Sequence, residues 1–141
     1  MSYQVKHYMS KEVPTIEGRA SVAEAAREMS KSDKGFLIIL KDGRPVGMVT
    51  LRDIVNKVVA TELTPAKVSV EEIMSSPLVT VDPDEDLVRA SELMKENDIR
   101  QVAVVKDEIV YGVLTAGIIS QRFVEYLDKS TRDLMRWCVL L

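Results

Sequence analysis

Between positions 47 and 53 the chain reads Gly47-Met48-Val49-Thr50-Leu51-Arg52-Asp53, which puts a hydroxyl, a guanidinium and a carboxylate within four residues. Where a strand gives way to a helix, a threonine hydroxyl and the open N–H groups of the first turn form a ready anion site. An ionised carboxylate one turn on is acceptor-only and can take two neighbouring hydroxyls at once. The same residues also serve stability alone, with Gly47 at a strand edge, Thr50 as a helix cap and Asp53 as a first-turn partner of the helix dipole. Elsewhere the chemistry is sparse. A single cysteine, Cys138, forms no internal disulfide, and with a single histidine, His7, it cannot build a zinc site of the usual nitrogen and sulfur type. Nucleophilic catalysis would have to run through His7 in a chain with no G-x-S-x-G elbow, so His7 reads as structural or solvated. The acidic run Asp82-Pro83-Asp84-Glu85-Asp86 reads as a helix start, with Asp82 at the N-cap and Pro83 in the first turn, because no companion metal ligands lie elsewhere. Neither a catalytic constellation nor a metal site is expected.

The composition sets the frame for these residues. Of 141 residues 46% are hydrophobic and 29% charged, with six Gly and five Pro, which fits one compact domain or two small ones and excludes collagen and disorder. A net charge of −3 leaves no global basic field for a nucleic acid, so any phosphate site must be local. The longest uncharged apolar run, Phe36-Leu37-Ile38-Ile39-Leu40, is too short to cross a bilayer, and no signal peptide marks the first residues. The expected setting is cytoplasmic.

The elements that must carry Thr50 and Asp53 occur twice. Met9-Ser10 recurs as Met74-Ser75, Thr15 as Thr80, Ala25 as Ala90, Met29 as Met94, Lys41-Asp42 as Lys106-Asp107, Gly47 as Gly112 and Thr50 as Thr115, always at an offset of 65 residues. Of the 56 positions from 5 to 60, 13 are identical to the residue 65 positions on, so the chain is a tandem duplication. Each unit reads strand, helix, strand, strand, helix. An extended segment at 13–16 precedes a helix opened by the capping box Ser21-Val22-Ala23-Glu24, with Val22, Ala25, Ala26 and Met29 on one face. Residues 37–40 read as a strand covered on both faces, and Asp42-Gly43 as a hairpin into 46–50. Ile54, Val55, Val58 and Val59 are expected to face inward on the helix that follows. The second copy places strands near 79–81, 101–105 and 109–115, a helix near 84–96 and another from about Gly117. The boundaries are a first repeat at 1–60, a linker at 61–69 containing Pro65, a second repeat at 70–128 and an apolar tail at 129–141.

The segment from Gly47 to Asp53 resembles the Gly-hydrophobic-hydrophobic-Thr-x-x-Asp signature that closes a cystathionine-β-synthase (CBS) domain. The segment Val70-Glu71-Glu72-Ile73-Met74 ahead of Leu78-Val79-Thr80-Val81 resembles that family's opening motif. The likeness covers about 5–60 and 70–128, so the chain is similar to a stand-alone tandem CBS pair, a Bateman module. The resemblance implies an α+β fold of two β-α-β-β-α repeats packed sheet to sheet about a pseudo-twofold axis, with clefts for adenosine-type ligands. Thr50 and its helix start would then hold a phosphate, and Asp53 the two ribose hydroxyls. Val13, Pro14, Thr15, Ile16, Phe36 and Met48 offer an apolar slot for adenine. By family correspondence Ile99, Arg100 and Gln101 of the other repeat complete the cleft, where Arg100 could neutralise phosphate. Arg52 and Lys34 are second choices for that task.

The second repeat reads Gly112-Val113-Leu114-Thr115-Ala116-Gly117-Ile118, keeping Gly and Thr but placing Gly117 and Ile118 where the first has Arg52 and Asp53. An isoleucine cannot accept a ribose hydroxyl, and burying the diol unpaired costs about 1–3 kcal/mol. One competent nucleotide cleft per chain is therefore expected, around Asp53.

In the tail, Phe123, Leu127, Leu134, Trp137, Val139, Leu140 and Leu141 are apolar at roughly helical spacing, and a tryptophan there suits docking on a second subunit. Packing back on its own domain is the other reading of this tail. Cys138-Val139-Leu140-Leu141 also fits the C-a-a-X prenylation pattern, but Lys129, Arg132 and Arg136 are mixed with Asp128 and Asp133, so a chance match is expected. The sequence thus reads as a non-enzymatic regulatory module, without a catalytic cofactor, that binds AMP, ADP or ATP as a homodimer, senses energy or metabolite supply and signals to a regulated protein. S-adenosylmethionine binding, or a structural dimerisation module with empty clefts, are the alternatives.

Overall fold

The computed structural model describes residues 3–124, 129–131 and 133–134. The fold is α+β, with two three-stranded sheets distributed over two compact units. One unit is Val13–Val79, and the other joins the described residues up to Glu12 to those from Thr80 onward. Among the described residues no helix is long and apolar enough to cross a membrane.

In the unit of Val13–Val79, β1 (Thr15–Glu17), α1 (Val22–Ser32), β2 (Phe36–Lys41) and β3 (Arg44–Thr50) lead into α2 (Leu51–Ile54), which continues as a π turn over Val55–Val59. The unit ends with α3 (Val70–Ile73). The sheet order is β1-β2-β3, with β1 parallel to β2 and β3 antiparallel to it. A parallel pair needs a crossover, which α1 supplies, whereas Asp42 (φ 52°) and Gly43 (φ 76°) close the antiparallel pair as a two-residue turn. Helix α1 starts where the sequence places it. Ser21 accepts from Glu24 N–H, and the Glu24 carboxylate accepts from Ser21 N–H. Its Val22, Ala25 and Met29 pack with Leu37, Ile39 and Val49 on one sheet face, together with Val58, Val70 and Ile73.

Two inward positions of the helical segment after β3 are corrected. Val58 is fully buried and Ile54 packs against the core, but Val55 and Val59 are 55% and 61% exposed. Residues four apart share a helix face, so the Ile54 and Val58 row takes the core and the row of Leu51, Val55 and Val59 turns away. The linker 61–69 is exposed over 61–67 and is tied to the first repeat at its end. Val22 N–H donates to Val68 O at 2.8 Å, Ser21 bridges Ser69, and Val68 lies against the core.

The other unit repeats the topology with β4 (Thr80–Val81), α4 (Leu87–Glu96), β5 (Gln101–Lys106), β6 (Ile109–Thr115) and α5 (Ala116–Val124). The register irregularity between Ile39 and Leu40 in the first sheet recurs between Val104 and Val105 in the second, again 65 residues on. The N-cap of α4 is Asp86, whose carboxylate accepts from Val88 N–H at 2.8 Å, and not Asp82. Asp82 instead accepts from Asp84 N–H at 2.8 Å in a local turn, and the buried row Leu87, Ala90 and Met94 sets the helix start later.

The N-terminal residues pack in this second unit. Val5 is fully buried, its N–H donates to Glu85 O at 2.9 Å, and Ser10 and Val113 exchange two backbone bonds of 2.9 Å. Residues 74 and 75 do the same for the first unit, where Met48 N–H donates to Ser75 O and Ser75 N–H to Met48 O. Both approaches require a glycine beside them. A Cβ on Gly47 would lie 2.7 Å from Ser75 O, and one on Gly112 would lie 2.5 Å from Ser10 O. The repeated Met-Ser pair and the repeated glycine are thus each other's contact.

Candidate functional site

Thr50 ends β3 in extended backbone and caps the helix that follows. Its N–H donates to Asp53 Oδ2 at 2.9 Å and its hydroxyl donates to the same oxygen at 3.1 Å, while Asp53 N–H donates to Thr50 Oγ1 at 3.3 Å. Asp53 is 8% exposed, so its charge needs these partners. The other oxygen, Oδ1, faces Lys57 Nζ at 3.0 Å, and that ammonium also donates to Ile73 O at 2.8 Å. Lys57 was not singled out from the sequence, although an acid four residues before a lysine on a helix is the signal for such a pair. Two first-turn amides that the sequence leaves open to an anion are engaged within the chain: Leu51 N–H donates to Gly35 O at 3.0 Å, and Asp53 N–H to Thr50.

The sheet brings several of the expected residues to one face. Phe36 pairs with Thr50, and Thr15, Ile38 and Met48 form a row across the three strands, so Thr15, Phe36, Met48 and Thr50 share a side. Phe36 and Met48 are buried there. Ile16 pairs with Ile39 and packs against the helix-covered core, the opposite side, because successive residues of a strand alternate. Val13 and Pro14 precede β1 half-buried, with Pro14 O accepting from Ile38 N–H at 2.9 Å. Lys34 follows the end of α1, half-buried, and Arg52 is exposed on the first turn after Thr50.

Ile99, Arg100 and Gln101 lie in the other unit, where they lead into β5. Ile99 N–H donates to Met94 O, Arg100 O accepts from Ala116 N–H at 2.8 Å, and Gln101 pairs with Thr115. Only half of the Thr50 cap is repeated there: Ile118 N–H donates to Thr115 Oγ1 at 3.0 Å, with no carboxylate to answer it. Arg122, the counterpart of Lys57, lies 5.2 Å from the centre of the Tyr8 ring. Among the described residues no group of three or more His, Cys, Asp or Glu comes together to hold a metal ion. Of the tail, Leu134 is described and is 64% exposed, whereas Leu127, Trp137 and the Cys138-Val139-Leu140-Leu141 match lie outside the described residues.

The sequence profile of the CBS domain matches residues 5–60 and 70–125. An uncharacterised protein of Methanocaldococcus jannaschii is 38% identical over 125 residues, 79% of this chain and 30% of its own length. A CBS domain-containing protein of Bacillus subtilis is 31% identical over 113 residues, 80% of each chain. The chain spans about half the length of a mitochondrial relative from Arabidopsis thaliana and less of some others. Among solved structures, a CBS domain pair in complex with 5′-methylthioadenosine and S-adenosyl-L-methionine is 31% identical with a TM-score of 0.81, covering 90% of this chain and all of that one. A conserved protein of Pyrococcus horikoshii is 28% identical with a TM-score of 0.82, covering 92% of this chain and 98% of that one.

Proposed function

The chain belongs to the CBS domain family as a tandem pair of its repeats, and from that premise we propose that it is a regulatory module which binds an adenosine-containing nucleotide at Asp53, with AMP the foremost candidate and ADP and ATP alongside. One observation carries this reading. The second repeat folds with Ile118 where the first has Asp53, and it keeps the backbone half of the cap, so the fold itself does not need a carboxylate at this position. A charge held at 8% exposure without being required for the fold is a functional-site candidate. Asp53 accepts the ribose hydroxyls in this proposal. Thr50 turns its hydroxyl from Asp53 to a phosphate, and Thr15, Phe36 and Met48 flank the base. The family resemblance adds Arg100, Ile99 and Gln101 of the second repeat, with Arg52 and Lys34 as further candidates for phosphate.

A second reading, S-adenosylmethionine or a related methylthio-nucleoside, is favoured by the relative solved with those two ligands. Because ligand acts only by binding one arrangement of the module better than another, the regulatory signal is a differential affinity, passed on through a homodimer or a regulated protein. A thermal-shift panel of AMP, ADP, ATP, S-adenosylmethionine and NAD tests both readings. A ligand at 100 times its Kd adds about 2.7 kcal/mol to the folded state. A panel without any shift leaves the structural dimerisation reading standing instead.

A further inference from the structure

We infer that Lys57 is a positioning residue of the Asp53 site, which fixes the carboxylate for the hydroxyls of its ligand; the inference rests on the reading of Asp53 given above. A carboxylate has about four acceptor positions. Thr50 N–H and the Thr50 hydroxyl occupy two of them on Oδ2, and the Lys57 ammonium occupies one on Oδ1. Among the described residues one position on Oδ1 is left for a ligand hydroxyl, and the second hydroxyl is accommodated when the Thr50 hydroxyl turns away. That exchange keeps its geometry only if Oδ1 stays where it is.

Lys57 supplies the fixed point because it is itself tied down, at 2.8 Å from the Ile73 carbonyl at the end of α3. Asp53 is thereby held from both sides, by its own cap and, through Lys57, by the end of α3, 16 residues beyond that lysine. The pair adds little to stability, since the Lys57 side chain is 45% exposed. Its effect is on orientation and local charge: the ammonium offsets the carboxylate that would otherwise repel a phosphate on the same ligand. The second repeat supplies the contrast. It also has a cation at this position, Arg122, but with Ile118 in place of the carboxylate that guanidinium rests over Tyr8.

The test uses the whole chain and the variants Lys57→Met and Lys57→Arg. Without any ligand, Lys57→Met is expected to speed hydrogen exchange of the Thr50 amide several-fold, because its acceptor is no longer fixed, while the core amide of Val49 is unchanged and Lys57→Arg restores protection. By calorimetry, Lys57→Met weakens AMP by about tenfold and adenosine by less, as loss of the offsetting charge requires. Unchanged Thr50 exchange in Lys57→Met overturns the positioning role, and equal affinities of wild type and variant for AMP overturn its effect on binding. A wild-type chain that binds neither adenosine nor AMP defeats the proposed function instead, and Thr50 exchange still decides the role of Lys57.

Discussion

Asp53 Oδ2 accepts both the N–H and the hydroxyl of Thr50, at 2.9 and 3.1 Å, whereas 65 residues on Thr115 Oγ1 accepts the N–H of Ile118, whose side chain has no acceptor to answer it. The two repeats share a helix start and differ in its charge. Replacing Asp53 by the residue the second repeat uses therefore separates fold from function. Asp53→Ile is expected to lose about 1 kcal/mol with the side-chain half of the cap, a fall of a few degrees in the thermal midpoint. Adenosine affinity should drop by roughly 10- to 100-fold, since burying the diol unpaired costs about 1–3 kcal/mol. Calorimetry on the variant checks both, and undiminished adenosine binding removes Asp53 from the site.

The same comparison fixes stoichiometry. With no carboxylate at Ile118, titration of the wild-type chain with AMP should saturate at one nucleotide per chain. A value of two would mean that the Thr115 side recognises the ligand without a ribose acceptor.

Gly47 and Gly112 predict a graded stability series. Alanine at either position drives a methyl group into a backbone carbonyl, at 2.7 Å from Ser75 O and 2.5 Å from Ser10 O, and opens the paired bonds beside it. Overpacking of this kind costs about 1–3 kcal/mol, with Gly112→Ala the worse of the two. Gly43→Ala meets nothing within 4 Å and pays only for its φ of 76°, about 1 kcal/mol. Urea midpoints of the three variants should fall in that order, with Gly43→Ala the mildest.

These glycines show how much of the molecule was legible. The 65-residue repeat is legible in the sequence as a whole, and the Ser21 cap of α1, the Asp42-Gly43 turn and the two longer strands of each repeat follow from local spacing, whereas β1 begins at Thr15 and not at Val13. The reason for Gly47 does not, because Met74 and Ser75 lie far along the chain. The N-cap of α4 is not legible locally because three aspartates compete within five residues, and the buried row of Leu87, Ala90 and Met94 decides for Asp86. Hydrophobicity alone groups Ile16 with Phe36 and Met48, whereas strand alternation against Ile39 sends it to the other face. At the site, Thr50 and Asp53 were legible as a spacing, but the anchoring of Lys57 on Ile73 O was not.

Acid should destabilise the chain through identifiable carboxyls. The hydrogen bond and charge of Lys6, with Lys106 nearby, hold Asp84 below its ordinary 3.8, and the N–H and hydroxyl of Ser69 hold Glu72 below 4.5. A carboxyl depressed in the folded state contributes stability that is present above its unfolded pKa and lost as pH falls through the folded value. From neutral pH to about 5 these two groups leave the thermal midpoint flat, and below about 4 they lower it. Asp84→Asn should therefore show a shallower acid limb than wild type in a pH series of thermal melts. Superimposable limbs would mean that the Lys6 pair does not persist in solution.

The N-terminal residues pack with the second repeat. Val5 is fully buried, Tyr3 O accepts from Leu87 N–H at 2.8 Å, and Ser10 pairs with Val113 in β6. Val5→Ala removes two methyl groups from that packing, at about 0.8 kcal/mol each before any cavity term, so a loss of about 2 kcal/mol is expected. Its distribution distinguishes this arrangement from one in which the first repeat keeps its own N-terminus. Exchange at the Val113 amide, whose acceptor is Ser10 O, should quicken, while Met48 N–H, bonded to Ser75 O, keeps its protection apart from any global opening. Faster exchange at Met48 with Val113 unchanged would assign residues 3–12 to the first repeat and overturn the placement.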